Sequence, residues 1–186
     1  MSKHLSKILV IDIEAVFARY RSTSEIIEVG IAEVDLLKMK IGTPKSWIIK
    51  PTNLKIDEET INLTGLTQEK IDNDGISFKY FCEKILIHIP ARKKAWFSFG
   101  NFDKEAFEKQ CKRERIDYPL SKNHYNIQNL LGLESSMFDK DYSNLSLKDS
   151  LLIHGFSFEG KEHKAKWDAY NTAKLVLRIF KKLKQK

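Results

Sequence analysis

The chain has 186 residues, of which 42% are hydrophobic and 31% charged, and its formal net charge at pH 7 is +7. This size suits one compact α/β domain over residues 1–186 and leaves little chain for a second, substrate-recruiting domain. No apolar stretch approaches the length of a transmembrane helix, so we expect no membrane association and a cytoplasmic location. The excess of lysine and arginine favours a polyanionic partner such as a nucleic acid.

The first predicted element is a short apolar strand that ends in two carboxylates. Residues Lys7–Glu14 read Lys-Ile-Leu-Val-Ile-Asp-Ile-Glu, a run typical of a buried strand. Side chains two apart on a strand share a face, so Asp12 and Glu14 can meet one cation. Two other Asp-x-Glu triplets, at residues 57–59 and 103–105, open predicted helices, where positions two apart point in different directions.

Strands rich in Ile, Val and aromatic residues then alternate with predicted helices. In chain order, the predicted elements are strands at Ser24–Asp35 and Lys45–Pro51, short helices within residues 57–74, a helix at Phe78–Ile89 with Ser77 as its N-cap, a strand at Lys94–Gly100, a helix at Asp103–Arg115, a strand at Tyr125–Ile127, a helix after the capping box Ser146–Asp149 and a last helix at Ala165–Lys182. This order predicts a mixed five-stranded sheet flanked by helices, with ligands bound at the carboxyl end of the central strand.

Three residues in the second half of the chain add to the first carboxylate pair. Asp103 follows a glycine turn between a strand and a helix, so its carboxylate emerges at the same edge of the sheet; the alternative is a carboxylate that complements the helix dipole. His163 and Asp168 are five residues apart, which a regular helix would place on different faces. We therefore expect His163 in a mobile loop around Gly160 and Asp168 in the first turns of the last helix. The alternatives are an exposed loop histidine and a solvated helix carboxylate.

Five stretches carry patterns that occur together in one protein family. They are Val10–Glu14, Glu25–Gly30, Leu63–Thr67, Ser98–Asp103 and His163–Ala173. In this order they resemble the DEDDh-type 3′-to-5′ exonucleases of the ribonuclease H-like superfamily, especially the Eri-like branch. The resemblance implies the ribonuclease H-like fold and a two-metal mechanism in which two Mg²⁺ ions, with Mn²⁺ as a substitute, are bound by Asp12, Glu14, Asp103 and Asp168. It also implies that His163 is the general base.

The resemblance further implies a substrate and two of its contacts. The substrate is a single-stranded 3′ end of RNA or DNA, from which nucleoside 5′-monophosphates are released. Leu66 is expected to pack on the terminal base, and Ala15, where a threonine is common, to contribute its backbone. From residue type, Lys164 and its neighbours Lys161 and Lys166 are predicted to hold phosphates of the scissile strand, and Phe102 to stack on a base. The alternatives are a solvated lysine loop and, for Phe102, core packing. Trp167 replaces a small or acidic residue, and packing explains it better than a role in the substrate path.

Other reaction classes lack their motifs. The chain has no phosphate-binding glycine loop and no HExxH, and Gly155–Gly160 misses the nucleophile-elbow spacing by one residue. Cys82 and Cys111 form no CxxC pair, so we expect reduced thiols without a catalytic role. The alternative from another class is a non-catalytic nucleic-acid or protein-binding module on the same fold. A missing carboxylate would have favoured that module, and none is missing.

Overall fold

The chain folds as a mixed sheet with helices on both faces, as a computed structural model describes it for residues 6–18, 23–137, 142 and 144–184. The strands are β1 (Lys7–Phe17), β2 (Ser24–Asp35), β3 (Lys40–Ile41), β4 (Lys45–Lys50), β5 (Ile76–Ser77), β6 (Trp96–Ser98) and β7 (His124–Asn126). The helices are α1 (Glu58–Thr64), α2 (Gln68–Asp74), α3 (Phe78–His88), α4 (Phe102–Glu114), α5 (Ile127–Ser136), α6 (Leu147–Ile153) and α7 (Ala165–Lys184). The predicted α/β class is confirmed.

The strand order is β5-β4-β2-β1-β6-β7, with β3 paired to β2. β2 is antiparallel to β1 and to β4, whereas β6 is parallel to β1 and β7 is parallel to β6. The five predicted strands are β1, β2, β4, β6 and β7. The other two described strands, β3 and β5, have two residues each and are too short to leave a periodic pattern in the sequence.

The alternating side chains of β1 separate two cores. Leu9, Ile11 and Ile13 point to the core under α3 and α4, while Ile8 and Val10 point to the core under α5, α6 and α7. A strand reverses the direction of its side chains at each residue, so even-numbered positions face α7. None of the described helices has both the length and the apolar character needed to cross a bilayer.

A β-bulge interrupts the pairing of β1 with β2 directly after Glu14. Glu14 lies opposite Glu28, but Ala15 lies opposite Ile26, so Ile27 is the extra residue. The side chain of Gln110, on α4, accepts a hydrogen bond of 2.8 Å from the backbone N–H of Ile26. This bond satisfies a buried donor at the irregularity. The bulge changes which side chains face α7, and it does so at the end of the predicted metal-binding pair.

The structure departs from the sequence predictions at some element boundaries. β1 continues to Phe17, whereas β6 covers only Trp96–Ser98 of the predicted Lys94–Gly100 strand. Helix α5 was not predicted, because Asn126 ends β7 and also caps α5, leaving no loop between them. The predicted caps are confirmed: the Ser77 hydroxyl accepts from Tyr80 N at 3.2 Å, and the Ser146 hydroxyl accepts from Asp149 N at 3.1 Å.

Candidate active site

Three carboxylates from the two ends of the chain meet beside β1. Asp12 and Glu14 project from β1 toward α7, and Asp168 lies in the first turn of that helix. One carboxylate oxygen of each lies within 4.8 Å of the others. The Oδ2 atom of Asp168 is buried and has no hydrogen-bond partner among the described residues. A buried acceptor without a donor is costly, so this group fits a bound cation.

Asp103 lies beside these three carboxylates, outside the set within 4.8 Å, and is linked to them through the backbone of β1. Its Oδ1 atom accepts a hydrogen bond of 3.0 Å from Ile13 N, between the two carboxylates of the pair. The N–H of Leu9 donates to Ala95, beside β6, and Ile13 N, four residues on, faces the same way. Because β6 ends at Ser98, no backbone carbonyl of that strand continues the ladder to Ile13. The buried Asp103 carboxylate therefore accepts the hydrogen bond that a carbonyl of a longer β6 would have accepted.

A hydrogen-bonded turn holds Phe102 and Asp103 in position. The Asn126 side chain accepts from Gly100 N at 3.0 Å and from Gln128 N at 2.9 Å, so one amide fixes the turn and caps α5. The buried Ser98 hydroxyl donates to Gly100 O at 2.8 Å and also contacts His124 Nε2 at 2.8 Å. Burial lowers the pKa of His124 to about 4. This histidine is therefore neutral at pH 7 and adds no charge beneath Asp103.

Glu28 is a fifth acidic residue at the site and was not among the predicted site residues. It lies directly opposite Glu14 in the sheet, is 5% exposed, and accepts from the backbone N–H of Ala165 at 3.4 Å. Two residues on, a Cβ at Gly30 would lie 2.0 Å from the Ala165 carbonyl carbon, so only glycine lets α7 begin this close to β2. Glu28 and Glu14 thus place two acidic side chains directly opposite each other, an arrangement that destabilises a strand pair. The sequence signal was the acidic residue inside the apolar run Glu25–Gly30.

Burial and mutual repulsion raise the pKa values of the clustered carboxylates. Burial raises the pKa of Asp12 well above its usual range, and the charge of Asp103 adds to this. Burial, followed by the charge of Asp168, raises the pKa of Glu14 to about 8, while Lys164 lowers it. Burial likewise raises the pKa of Asp103 and of Asp168 to about 7, although hydrogen bonds from nearby backbone N–H groups lower both values. Each shift disfavours the ionised form, and a bound dication would reverse that preference.

The loop before α7 is fastened to the helix. Gly160 has φ +79°, and a Cβ there would lie 2.3 Å from the ring of Trp167. The buried side chain of Asn171 accepts from Glu159 N at 3.0 Å and donates to Glu159 O at 2.8 Å. Trp167 thus packs on its own loop while its edge remains partly exposed. The indole supports the segment that carries His163.

His163 lies in the turn before α7, as predicted, but its side chain is exposed. Its φ of +58° is uncommon for a residue with a Cβ, and such strain is frequent at functional sites. The backbone N–H of His163 lowers the pKa of Asp168, so the loop's backbone reaches the cluster. No hydrogen bond joins the imidazole to a carboxylate within the described segments. The Lys164 ammonium lies 3.4 Å from where a Cβ of Gly65 would be, which places it near the loop between α1 and α2.

The residues predicted to contact substrate surround the cluster. Ala15 is half-buried at the bulge next to Glu14. Leu66 is 2% exposed and packs on Val16, so only a small edge of it can meet a base. Phe102 is 42% exposed, and its ring centroid lies 5.7 Å from that of Phe17. Phe17 was not predicted; the signal was the continuation of β1 past Glu14. Together the two rings form an aromatic surface beside the carboxylates.

The donor set matches hard divalent cations. The clustered groups supply oxygen ligands only, and Mg²⁺ and Mn²⁺ prefer oxygen. Four carboxylates, at Asp12, Glu14, Asp103 and Asp168, could balance two dications. The residues present therefore fit metal ions of this class.

Comparisons with known proteins connect this geometry to a family. Residues 9–176 match the family model described as Exonuclease (RNase_T). The chain is 24% identical over 164 residues to 3′-5′ exoribonuclease 1 of Rattus norvegicus, which covers 83% of this chain and 46% of that protein. It is 26% identical over 152 residues to the probable 3′-5′ exonuclease KapD of Bacillus subtilis, with 81% and 71% covered. The chain thus spans about half the length of the rat relative.

Solved structures show the same fold. The nuclease domain of 3′hExo, a DEDDh family member bound to rAMP, gives a TM-score of 0.84 at 22% identity and covers 98% of this chain and 95% of its own. Cell-death related nuclease 4 (CRN-4) gives 0.81 at 18% identity, with 95% and 64% covered. E. coli exonuclease I in complex with a dT13 oligonucleotide gives 0.73 at 15% identity, with 94% and 41% covered.

Proposed function

The chain belongs to the exonuclease family whose model it matches over residues 9–176, and we propose that it is a metal-dependent 3′-to-5′ exonuclease. It hydrolyses phosphodiester bonds at single-stranded 3′ ends of RNA or DNA and releases nucleoside 5′-monophosphates. One observation carries this proposal: carboxylate oxygens of Asp12, Glu14 and Asp168 lie within 4.8 Å of one another in surroundings that disfavour their ionised forms. Such a cluster is costly to keep without a cation.

Asp12, Glu14, Asp103 and Asp168 are the residues that would hold two Mg²⁺ ions, or Mn²⁺ in their place. When bound, these ions supply the positive charge that stabilises the attacking and leaving oxygens of an in-line displacement. Asp103 also fixes the backbone between the first two ligands through Ile13 N. Asp168 is oriented by the backbone of the loop before α7.

The side chains around the cluster bind the strand end and move a proton. In the hydrolysis, a water oxygen forms a bond to phosphorus and one proton of that water passes to His163. The bond from phosphorus to the 3′-oxygen of the shortened strand breaks, and that oxygen takes a proton from solvent to become a hydroxyl. Histidine is the side chain that most often serves as a general base in such proton transfers. The side chain of His163 is exposed in this structure, so the imidazole can rotate toward the attacking water while Trp167 and Asn171 hold its loop on α7. Lys164 would hold the scissile phosphate, and Phe17 with Phe102 would stack on a base.

Both sugar types belong in the test of this function. Among the similar solved structures, one nuclease domain is bound to rAMP and one exonuclease is in complex with a dT13 oligonucleotide. A contact that reads the 2′-hydroxyl can come from backbone atoms as well as side chains. Residue types therefore give no preference between RNA and DNA.

The decisive experiment supplies 5′-labelled RNA and DNA oligomers with Mg²⁺ to the wild type, to Asp12→Asn and to His163→Ala. We expect a ladder with one-nucleotide steps from the wild type, no ladder from Asp12→Asn, and a much smaller kcat with nearly unchanged substrate affinity from His163→Ala. Tight binding without shortening by the wild type would instead support a non-catalytic nucleic-acid-binding module on this fold. Internal cleavage products would contradict an exonuclease.

A further inference from the structure

A groove beside the carboxylate cluster is lined by four lysines. It lies between α2, β4 and the start of α7, and its volume is about 580 Å³. We call it the lysine groove and define it by Lys70 on α2, Trp47 on β4, and Lys161, Lys164, Lys166 and Trp167 around the start of α7. Its volume lies in the range of pockets that enclose whole ligands.

Most of the positive charge in the lysine groove is not neutralised. Lys70 forms an ion pair of 3.0 Å with Asp74, whereas Lys161, Lys164 and Lys166 have no ion-pair partner in the part of the chain that the structure describes. The ammonium of Lys166 lies 5.2 Å from the centre of the Trp167 ring. Glu28 also borders the groove, but it is 5% exposed and bonded to Ala165 N. Glu28 and Asp74 are the two acidic residues among the lining residues, against four lysines, and this excess of positive charge attracts an anionic ligand.

The lysine groove is continuous with the candidate active site. Glu28 lines the groove and lies opposite Glu14 in the sheet. Lys164 also lines it, and its charge is close enough to Glu14 to lower the pKa of that carboxyl. Leu66, expected near the terminal base, contributes to the same wall. A strand whose end lies at the carboxylates therefore borders this groove.

We propose that the lysine groove binds the phosphates of substrate nucleotides upstream of the scissile bond. This inference rests on the proposed function. The terminal nucleotide brings one phosphate, which must lie at the carboxylate cluster, and Lys164 is sufficient to meet it. The ammonium groups of Lys161 and Lys166 then remain available to bind further phosphates, which the rest of the strand supplies. The half-buried rings of Trp47 and Trp167 add flat apolar surface against which sugars or bases can pack.

The test compares Lys161→Gln/Lys166→Gln with a control, Lys79→Gln/Lys93→Gln. The control removes the same net charge from exposed positions outside the groove. On a single-stranded oligonucleotide, we expect the groove variant to raise KM roughly tenfold with little change in kcat. The slope of log KM against log salt should fall by about 1.4, because each of the two lost phosphate contacts contributes about 0.7. On a dinucleotide with a 5′-hydroxyl, whose single phosphate is the scissile one, its kcat/KM should equal that of the wild type. The control should match the wild type on both substrates.

Two outcomes would overturn the proposal. An unchanged KM on the oligonucleotide would show that the groove is not used, and an equal loss on the dinucleotide would show that it holds the terminal nucleotide instead. The same lysine substitutions in an Asp12→Asn background separate this proposal from the proposed function. In that background, fluorescence anisotropy should show a roughly tenfold weaker Kd for a labelled oligonucleotide, even if the wild type hydrolyses nothing. Equal Kd values there would refute the groove while leaving hydrolysis intact.

Discussion

At the scale of single residues, Asp103 has two separable tasks. Its carboxylate is a predicted metal ligand, and the same group replaces a missing strand by accepting from Ile13 N. An asparagine keeps an acceptor oxygen but removes the charge, whereas an alanine removes both. These substitutions therefore separate the role of Asp103 in metal binding from its role as the hydrogen-bond acceptor that supports β1.

We expect Asp103→Asn and Asp103→Ala to be equally inactive but unequally stable. Hydrolysis should fall at least about a hundredfold in both, because even loss of a group outside the ligand shell costs tenfold to a hundredfold. Asp103→Ala leaves the buried N–H of Ile13 without a partner, which costs about 1–3 kcal/mol relative to Asp103→Asn. Urea denaturation at one pH measures the difference. Equal free energies of unfolding for the two variants would mean that the bond to Ile13 does not support the strand.

At the scale of elements, the loop before α7 depends on one close contact. Gly160 and Gly155 have nearly equal angles, φ +79° and +78°. A Cβ at Gly160 would meet the Trp167 ring at 2.3 Å, whereas a Cβ at Gly155 would meet nothing within 4 Å. The two glycines thus have the same left-handed φ, and they differ in whether a Cβ would meet a neighbour.

We predict that Gly160→Ala destabilises the protein more than Gly155→Ala and that only the former slows hydrolysis. Both alanines adopt a left-handed backbone at a cost of about 1–2 kcal/mol. Gly160→Ala should lose about a further 1–3 kcal/mol by displacing the indole, and kcat should fall because the His163 loop moves.

Chemical denaturation and single-turnover rates measure both effects. Trp167→Leu combined with Gly160→Ala should recover part of the lost stability, as expected for residues in contact. Equal effects of the two alanines would refute the contact as the cause.

The sequence predicts elements well where residue periodicity is strong. The run at Ser24–Asp35 and the caps at Ser77 and Ser146 are confirmed, because they depend on local backbone chemistry. Helix α5 was missed, since Asn126 ends one element and begins the next without a gap.

Within the site, the sequence indicates which carboxylates converge but not what supports them. Asp12, Glu14 and Asp168 meet as expected. The position of Glu28 opposite Glu14 depends on a strand register, and the pairing of Phe17 with Phe102 depends on the length of β1 and on the turn before α4. Both result from contacts between distant segments, which a single sequence does not reveal. The assignment of His163 as the general base stays a prediction.

At the scale of the whole molecule, the carboxylate cluster concentrates negative charge in a protein whose net charge is +7. The cluster lies where β6 ends and the sheet is completed by side chains, between the loop before α7 and the turn before α4. The lysine groove and the aromatic surface of Phe17 and Phe102 both adjoin it. Under the proposed function, the surrounding positive charge would attract a polyanion, and bound dications would let the carboxylate cluster accept its phosphate.

The raised pKa values of the cluster predict how stability depends on pH in the absence of metal. Glu14 has a folded pKa of about 8, Asp103 and Asp168 have values of about 7, and Asp12 is raised well above its usual range. In the unfolded chain, these groups titrate near pH 4. The folded state therefore binds more protons between about pH 4 and pH 8. The associated stability is fully present below pH 4 and is lost as the pH rises through the folded values.

In EDTA, we accordingly expect Tm to fall by about 5–10 °C between about pH 5.5 and pH 8.5, as a loss of a few kcal/mol implies for this size of protein. Glu134, whose pKa is lowered to about 2, and other carboxyls with lowered pKa values are already ionised throughout this window and do not oppose the trend. His124 and His154, whose pKa values are lowered by burial, add stability as the pH rises to about 6.5, so the fall in Tm is steepest above that pH. Mg²⁺ or Mn²⁺ should raise Tm, and by more at pH 8.5, because it binds the ionised carboxylates. Asp12→Asn/Asp168→Asn should flatten the pH dependence and weaken the response to metal. A Tm that rises with pH in EDTA, or a metal response that survives this double substitution, would mean that the four carboxylates do not form a coupled metal site.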